Sequence, residues 1–255
     1  MPYFRAVSGA FHPSDEARGP WDPNSLHGRV LVGLLARTFE QQHGDEAFQV
    51  SRLTTELFRL PPFAPLEVTS EVIREGRRIR VVDGSVSSDG IELARGRALM
   101  LRRADQPDGQ VWSPLAWNVL DPESIAPPKR REGGTPMWEM RAIESRSSGN
   151  NAQKRAWLRE TRALVEGEAI TPFVRVAVAA EFADPFANSG DRRLEFLNAD
   201  VTLYLHRYPD DEWLGFDVAG HHSTDGIAVA ECQIYDRRGQ IGRSLVCAVS
   251  NPRRS

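Results

Sequence analysis

The chain has 255 residues, 40% hydrophobic and 26% charged, with a formal net charge of −3. This suits a soluble globular protein of one large or two small domains and gives no case for a nucleic-acid partner. No apolar run is long enough to span a bilayer, and the opening MPYFRAVSGAF lacks the apolar core and cleavage site of a signal peptide. Cys232 and Cys247 have no metal-ligand spacing, so the expectation is a reduced, cytoplasmic chain without disulfide, metal or cofactor.

Residues 1–23 read as irregular. From Asn24, NSLHGRVLVGLLARTFEQQHG predicts a helix, with Asn24 or Ser25 as cap, Val30, Leu31, Leu34, Leu35 and Phe39 at helical spacing, and Gly44 as stop. Four strand runs follow, Gln49–Arg59, Leu66–Arg74, Arg78–Ser87 and Ile91–Arg103, with turn signals at Glu75–Gly76 and Ser88–Asp89–Gly90. Residues 104–137 hold six prolines and the charge run Lys129–Arg130–Arg131–Glu132, and read as a linker between units 1–103 and 138–255. Beyond it, Met140–Ser145 and Ala156–Glu166 read as strands, the second being equally compatible with a helix. Thr171–Phe186 predicts a helix with Thr171 as cap and Pro172 in its first turn. Leu194–Arg207, Trp213–His221, Ile227–Asp236 and Gln240–Ser250 complete the chain as four strands.

The two halves repeat. At a shift of 148, SRLTTELFRLP (51–61) lies on ADVTLYLHRYP (199–209), with identities Thr54/Thr202, Leu57/Leu205, Arg59/Arg207 and Pro61/Pro209. Gly76/Gly226 and Gly90/Gly239 keep nearly that shift. A rival pairing of SDGIELA with TDGIAVA needs another shift and mismatches the strand count. The expectation is α+β: two copies of a helix covered by an antiparallel sheet, related by a pseudo-two-fold axis.

Asp200 stands out in this pattern. Leu197, Ala199, Val201, Leu203 and Leu205 alternate with Asn198, Asp200, Thr202, Tyr204 and His206 as in a half-buried strand, where a carboxylate is disfavoured. It is either an edge charge or a reactive group held in a cleft. The repeat makes Arg52 its counterpart in the first half, so the halves are not chemically equivalent.

Three segments resemble the double hot-dog acyl-CoA thioesterases of the thioesterase II type: ARGPWDPNSLHGRVLVGLLAR, FLNADVTLYLHRYPDDEWLGFD and GIAVAECQIYDRRGQIGRS. The similarity covers most of residues 17–103 and 168–250. It implies two tandem hot-dog units, an acyl-CoA or acyl-thioester substrate, and hydrolysis to free acid and CoA. Asp200 matches the carboxylate that activates water, and at the helix start by His27–Gly28 the resemblance implies Gly28 and Arg29 as the backbone oxyanion contacts. A helix N-terminus supplies unpaired N–H groups for that purpose. His221 falls where the family has Ser or Thr, as the third catalytic position. His27, Arg29, Asn198 and Thr202 are the implied substrate contacts. Two departures stand out: Arg29 replaces the second glycine of the family's His-Gly-Gly, and Val246 or Cys247 replaces a glutamine. They motivate a rival reading, a non-catalytic acyl-CoA or acyl-carrier binding protein of the same fold. A hot-dog hydratase is a further alternative, and Ser189–Gly190–Asp191 faintly resembles its signature. Lys129–Arg131 and Arg253–Arg254 are candidates for CoA phosphates, and a homodimer is compatible with the fold.

Overall fold

The computed structural model describes residues 1–113, 117–127, 137–143 and 153–251. In chain order the elements are β1 (Phe4–Val7), β2 (Ala10–Pro13), α1 (Gly28–His43), β3 (Phe48–Leu57), β4 (Glu67–Glu75), β5 (Ile79–Ser88), β6 (Ile91–Arg102), β7 (Trp138–Ala142), β8 (Arg155–Glu160), α2 (Pro172–Ala180), α3 (Ala183–Asn188), β9 (Phe196–Asn198), β10 (Asp200–Leu205), β11 (Trp213–Thr224), β12 (Ile227–Asp236) and β13 (Gly239–Ser250). The charge run at 129–132, Ser145 and Arg253–Arg254 lie outside the described residues.

One antiparallel sheet dominates, in the order β4-β5-β6-β3-β10-β13-β12-β11-β8-β7, with β9 also on β13. Read outward from its centre, β3-β6-β5-β4 mirrors β10-β13-β12-β11. The halves join edge to edge where β3 meets β10. Thr54 pairs with Thr202, Leu53 with Leu203 and Thr55 with Val201. The Thr202 hydroxyl lies 3.2 Å from that of Thr54. Identical repeat positions facing each other put the pseudo-dyad between these two threonines. The strand order also makes the β4–β5 turn at Gly76 equivalent to the β11–β12 turn at Gly226. SDG and TDG therefore occupy non-equivalent hairpins, although Asp89–Gly90 and Asp225–Gly226 share the two positive φ values of a tight hairpin turn.

The core lies between one face of the sheet and the antiparallel pair α1 and α2. Val30, Leu31, Leu34, Leu35 and Phe39 of α1 and Phe173, Val176, Ala177 and Ala180 of α2 are all 0% exposed. Gly33 sets the helix approach. A Cβ there would stand 2.6 Å from Val178 and 3.1 Å from Leu164, so only glycine lets the helices come so close.

Several expectations are corrected. Residues 1–23 contain the β1–β2 ribbon, turned by Ser8 and Gly9 with φ of 51° and 87°. The first helix is capped by His27, not Asn24 or Ser25. Ala156–Glu166 is strand only as far as Glu160; Leu164 and Val165 then run in a buried loop beside β1. The second helix breaks after Ala180. Pro185 has no N–H for the Glu181 carbonyl, which instead accepts from Asp184 at 3.1 Å. The run from Leu194 breaks at Ala199, whose amide turns to the Cys247 carbonyl and whose carbonyl takes the Leu57 amide, both at 2.8 Å. Part of the proline-rich stretch packs closely: Trp117 stacks on Tyr235 with centroids 4.1 Å apart.

Candidate functional site

The antiparallel helix pair brings the N-terminus of α1 against the C-terminal end of α2. His27 caps α1 by accepting the Arg29 amide on Nδ1 at 3.3 Å. Gly28 follows, and a Cβ on it would lie 3.4 Å from Glu181 Oε1 and 3.6 Å from Leu57. Glu181 Oε2 is 3.7 Å from His27 Nδ1, and the two side chains are 7% and 14% exposed. Oε2 has no hydrogen-bond partner. Burial, and then the nearby Arg29 charge, holds the His27 imidazole at a pKa of about 3. Burial, and then neighbouring Asp184, raises the Glu181 carboxyl to about 8 against the pull of Arg29. At neutral pH both groups are uncharged, so the contact is not an ion pair.

Arg29 itself is completely buried. It pairs with Glu160, and its guanidinium lies 4.3 Å over the Trp138 ring. Nε and Nη1 remain without partners. Burial lowers its pKa, with Tyr3 and Glu181 opposing. A buried Arg with one carboxylate is costly to unpair, which locks the side chain where it stands. Its side chain and its capped amide are thus both engaged.

From Glu181 the polar groups continue along α3. Burial raises the Asp184 carboxyl to about 6, opposed by the Asn188 side chain and the Asn198 amide, which donate to it. The Asn188 Nδ2 bond is 2.8 Å long. Asn188 then lines a cleft of about 590 Å³ with Lys154, Glu195, Phe196 and His221. His221 points to the helix side of the sheet: it pairs with Ala230, which pairs with Val246, and both partners are buried. Its ring is 5.4 Å from that of Phe196. Burial, then Lys154 and His222, lower its pKa.

Asp200 lies elsewhere. Val201, Leu203 and Leu205 are buried against the helices, so alternation puts Asp200, Thr202 and Tyr204 on the sheet's outer face. Asp200 Oδ1 accepts the Cys247 amide at 2.6 Å, and Glu56 sits opposite it on β3. Desolvation, and then the neighbouring Asp200 carboxylate, raise the pKa of the Cys247 thiol. Asn198 Nδ2 reaches the Asp200 carbonyl at 3.4 Å. Thr202 is engaged with Thr54 on the pseudo-dyad. The structure therefore does not bring His221 to Asp200: β13 and β12 intervene, and the side chains lie on opposite faces. It does bring the backbone of the Asp200 segment to the start of α1, through Leu57. Glu181, Asp184 and Asn188 went unnoticed in the sequence, where AAEFADPFAN reads only as helix with ordinary acidic residues. Among the described residues, no group of three or more His, Cys, Asp or Glu side chains is placed to hold a metal, and no helix is long and apolar enough to cross a membrane.

The architecture recurs in known proteins. A TesB protein of Mycobacterium avium subspecies paratuberculosis superposes with a TM-score of 0.71 at 16% identity, over 97% of this chain and 95% of that one. The acyl-CoA thioesterase II TesB2 of Mycobacterium marinum gives 0.65 at 14% identity, over 98% and 95%. A hot-dog protein of unknown function from Alicyclobacillus acidocaldarius gives 0.73 at 13%, over 98% and 96%. At such identities the likeness establishes the fold, a double hot-dog. No curated protein matches the sequence. Residues 17–101 match the acyl-CoA thioesterase N-terminal domain and residues 101–245 the C-terminal domain; the chain belongs to the acyl-CoA thioesterase family of the thioesterase II type.

Proposed function

We propose that this chain hydrolyses acyl-CoA thioesters at the junction of its halves, with Asp200 activating water and the first turn of α1 receiving the oxyanion. The supporting observation is the convergence at Leu57. Its amide binds the carbonyl of Ala199, next to Asp200, while its side chain lies against Gly28. A substrate carbonyl at Gly28 would meet the Gly28 N–H and the positive end of the dipole, the Arg29 and Val30 amides being engaged by His27. Asp200 takes a proton from water as the water oxygen bonds to the carbonyl carbon, which requires its carboxylate to leave the Cys247 amide and turn from the outer face past Ala199 toward Gly28. Collapse of the tetrahedral species breaks the C–S bond, and the proton passes to the departing CoA thiolate. His221 contacts the body of the substrate from the cleft and not the water. Free-thiol release from acetyl-, hexanoyl- and palmitoyl-CoA tests this reading. Asp200→Ala should lower the rate by about 10²- to 10⁴-fold, the usual worth of a general base; an unchanged rate rejects the assignment.

The rival, binding without turnover, is favoured by the thiol of Cys247 beside Asp200 and by the locked Arg29 at the helix start. It predicts saturable acyl-CoA binding with no thiol release.

A further inference from the structure

Glu181 is one of the buried titratable groups that the mechanism above leaves unused. It lies on the last turn of α2, where the helix dipole opposes a negative charge. Its Oε1 approaches Gly28 and its Oε2 has no partner. A buried carboxyl with an idle oxygen is expensive for folding. It stands at the corner that carries the Gly28 N–H, and at the equivalent corner of the molecule the carboxyl is satisfied by a threonine hydroxyl.

We propose that the Glu181 carboxyl is the side-chain hydrogen-bond donor of this corner, giving its proton's hydrogen bond to the thioester carbonyl oxygen held at Gly28. The inference rests on the functional reading above and assigns it a third contact. The Gly28 N–H polarises the carbonyl from the helix side, and a neutral carboxylic acid polarises it from α2. No proton leaves Glu181; the bond strengthens as charge grows on the oxygen, as for any donor in an oxyanion site. Neutrality is supported by the environment. Asp184 faces Glu181 from α3, and His27, uncharged, faces it from the start of α1. Arg29 is the nearby cation that favours ionisation; its charge is shared with Glu160 of β8, and Arg162 stands close to it. The balance leaves the acid protonated up to about pH 8.

Two variants and two readouts test this. Glu181→Leu removes the donor and should lower kcat by about 100-fold with KM nearly unchanged, as loss of one oxyanion donor does. Glu181→Gln keeps an N–H donor and should retain most of the activity while abolishing the loss of activity expected of the native protein above about pH 8. Independently of turnover, the carbonyl infrared band of ketone analogues of the same three acyl-CoAs, a methylene separating sulfur from carbonyl, should shift to lower frequency on binding to the native protein and to Glu181→Gln, and by clearly less on binding to Glu181→Leu. Full kcat in Glu181→Leu, or an unshifted band in the native complex, overturns the proposal. So does Glu181→Gln failing as badly as Glu181→Leu, which would make the group a base. A shifted band without thiol release refutes the hydrolase reading alone, and failure of all three analogues to bind refutes both. Circular dichroism on Glu181→Leu separates misfolding from loss of the donor, and Glu181→Gln remains decisive if the leucine variant does not fold.

Discussion

The two ends of the helix pair have the same plan and different chemistry. At one end Thr171 caps α2, taking the Val174 amide at 3.2 Å and giving its hydroxyl to Glu40 at 2.6 Å. At the other end His27 caps α1 and leaves Glu181 unsatisfied at 3.7 Å. Burial raises both carboxyls, but Thr171 holds Glu40 back, whereas Asp184 pushes Glu181 further up. The Thr171 end encloses only a cavity of about 20 Å³. The comparison shows how a duplicated fold specialises. The backbone symmetry is retained through the Thr54–Thr202 seam, while one corner is sealed by a hydroxyl and the other keeps an unsatisfied, perturbed carboxyl of the kind that clusters at functional sites.

The strongest way to break this asymmetry is at Arg29. Arg29→Met leaves Glu160 buried without its cation and should cost about 3–5 kcal/mol; urea unfolding measures it, and a loss below about 1 kcal/mol would show that water already reaches the pair. The next effect is a pH dependence. The folded pKa of Glu181 is raised, so the native state binds the extra proton, and stability should fall as pH rises from about 4.5 to about 8. His27 acts oppositely: its folded pKa is depressed, so stability should fall as pH drops from 6.5 towards about 3. Thermal melts of Glu181→Gln should flatten the alkaline limb and leave the acidic one; an unchanged alkaline limb would mean that Glu181 is ionised throughout. The smallest effect is at the sealed corner. Thr171→Val removes a cap and one hydrogen bond and should cost about 1 kcal/mol, with thiol release unaffected. A large drop in activity there would make the two corners functionally equivalent.

Much of the fold was legible. Period-two runs gave the strands to within a residue or two at most ends, because each strand has one buried face. What was missed has local causes. The β1–β2 ribbon is short and rests on Ser8 in a positive-φ turn, a weak signal in sequence. The α2 break depends on Pro185, which acts on a carbonyl four residues upstream while the apolar pattern runs on through Phe182 and Phe186. The candidate site was less legible. Asp200, Gly28 and His221 each carry a sequence signal, but alternation alone could not say that His221 faces the helices and Asp200 faces outward, because β11 carries a bulge between Val218 and Gly220.

The sequence by itself determined two helix-plus-meander units, their shift of 148 and the chemical inequality of Asp200 and Arg52. Those properties reside in local periodicity and in the repeat. Only the tertiary structure decided which groups share an environment. Packing α1 against α2 antiparallel carries Glu181 across 153 positions of chain to Gly28, beside His27. Desolvation there makes an ordinary glutamate a neutral acid. Ionisation depends on what surrounds a group after folding, and no spacing along the chain encodes it.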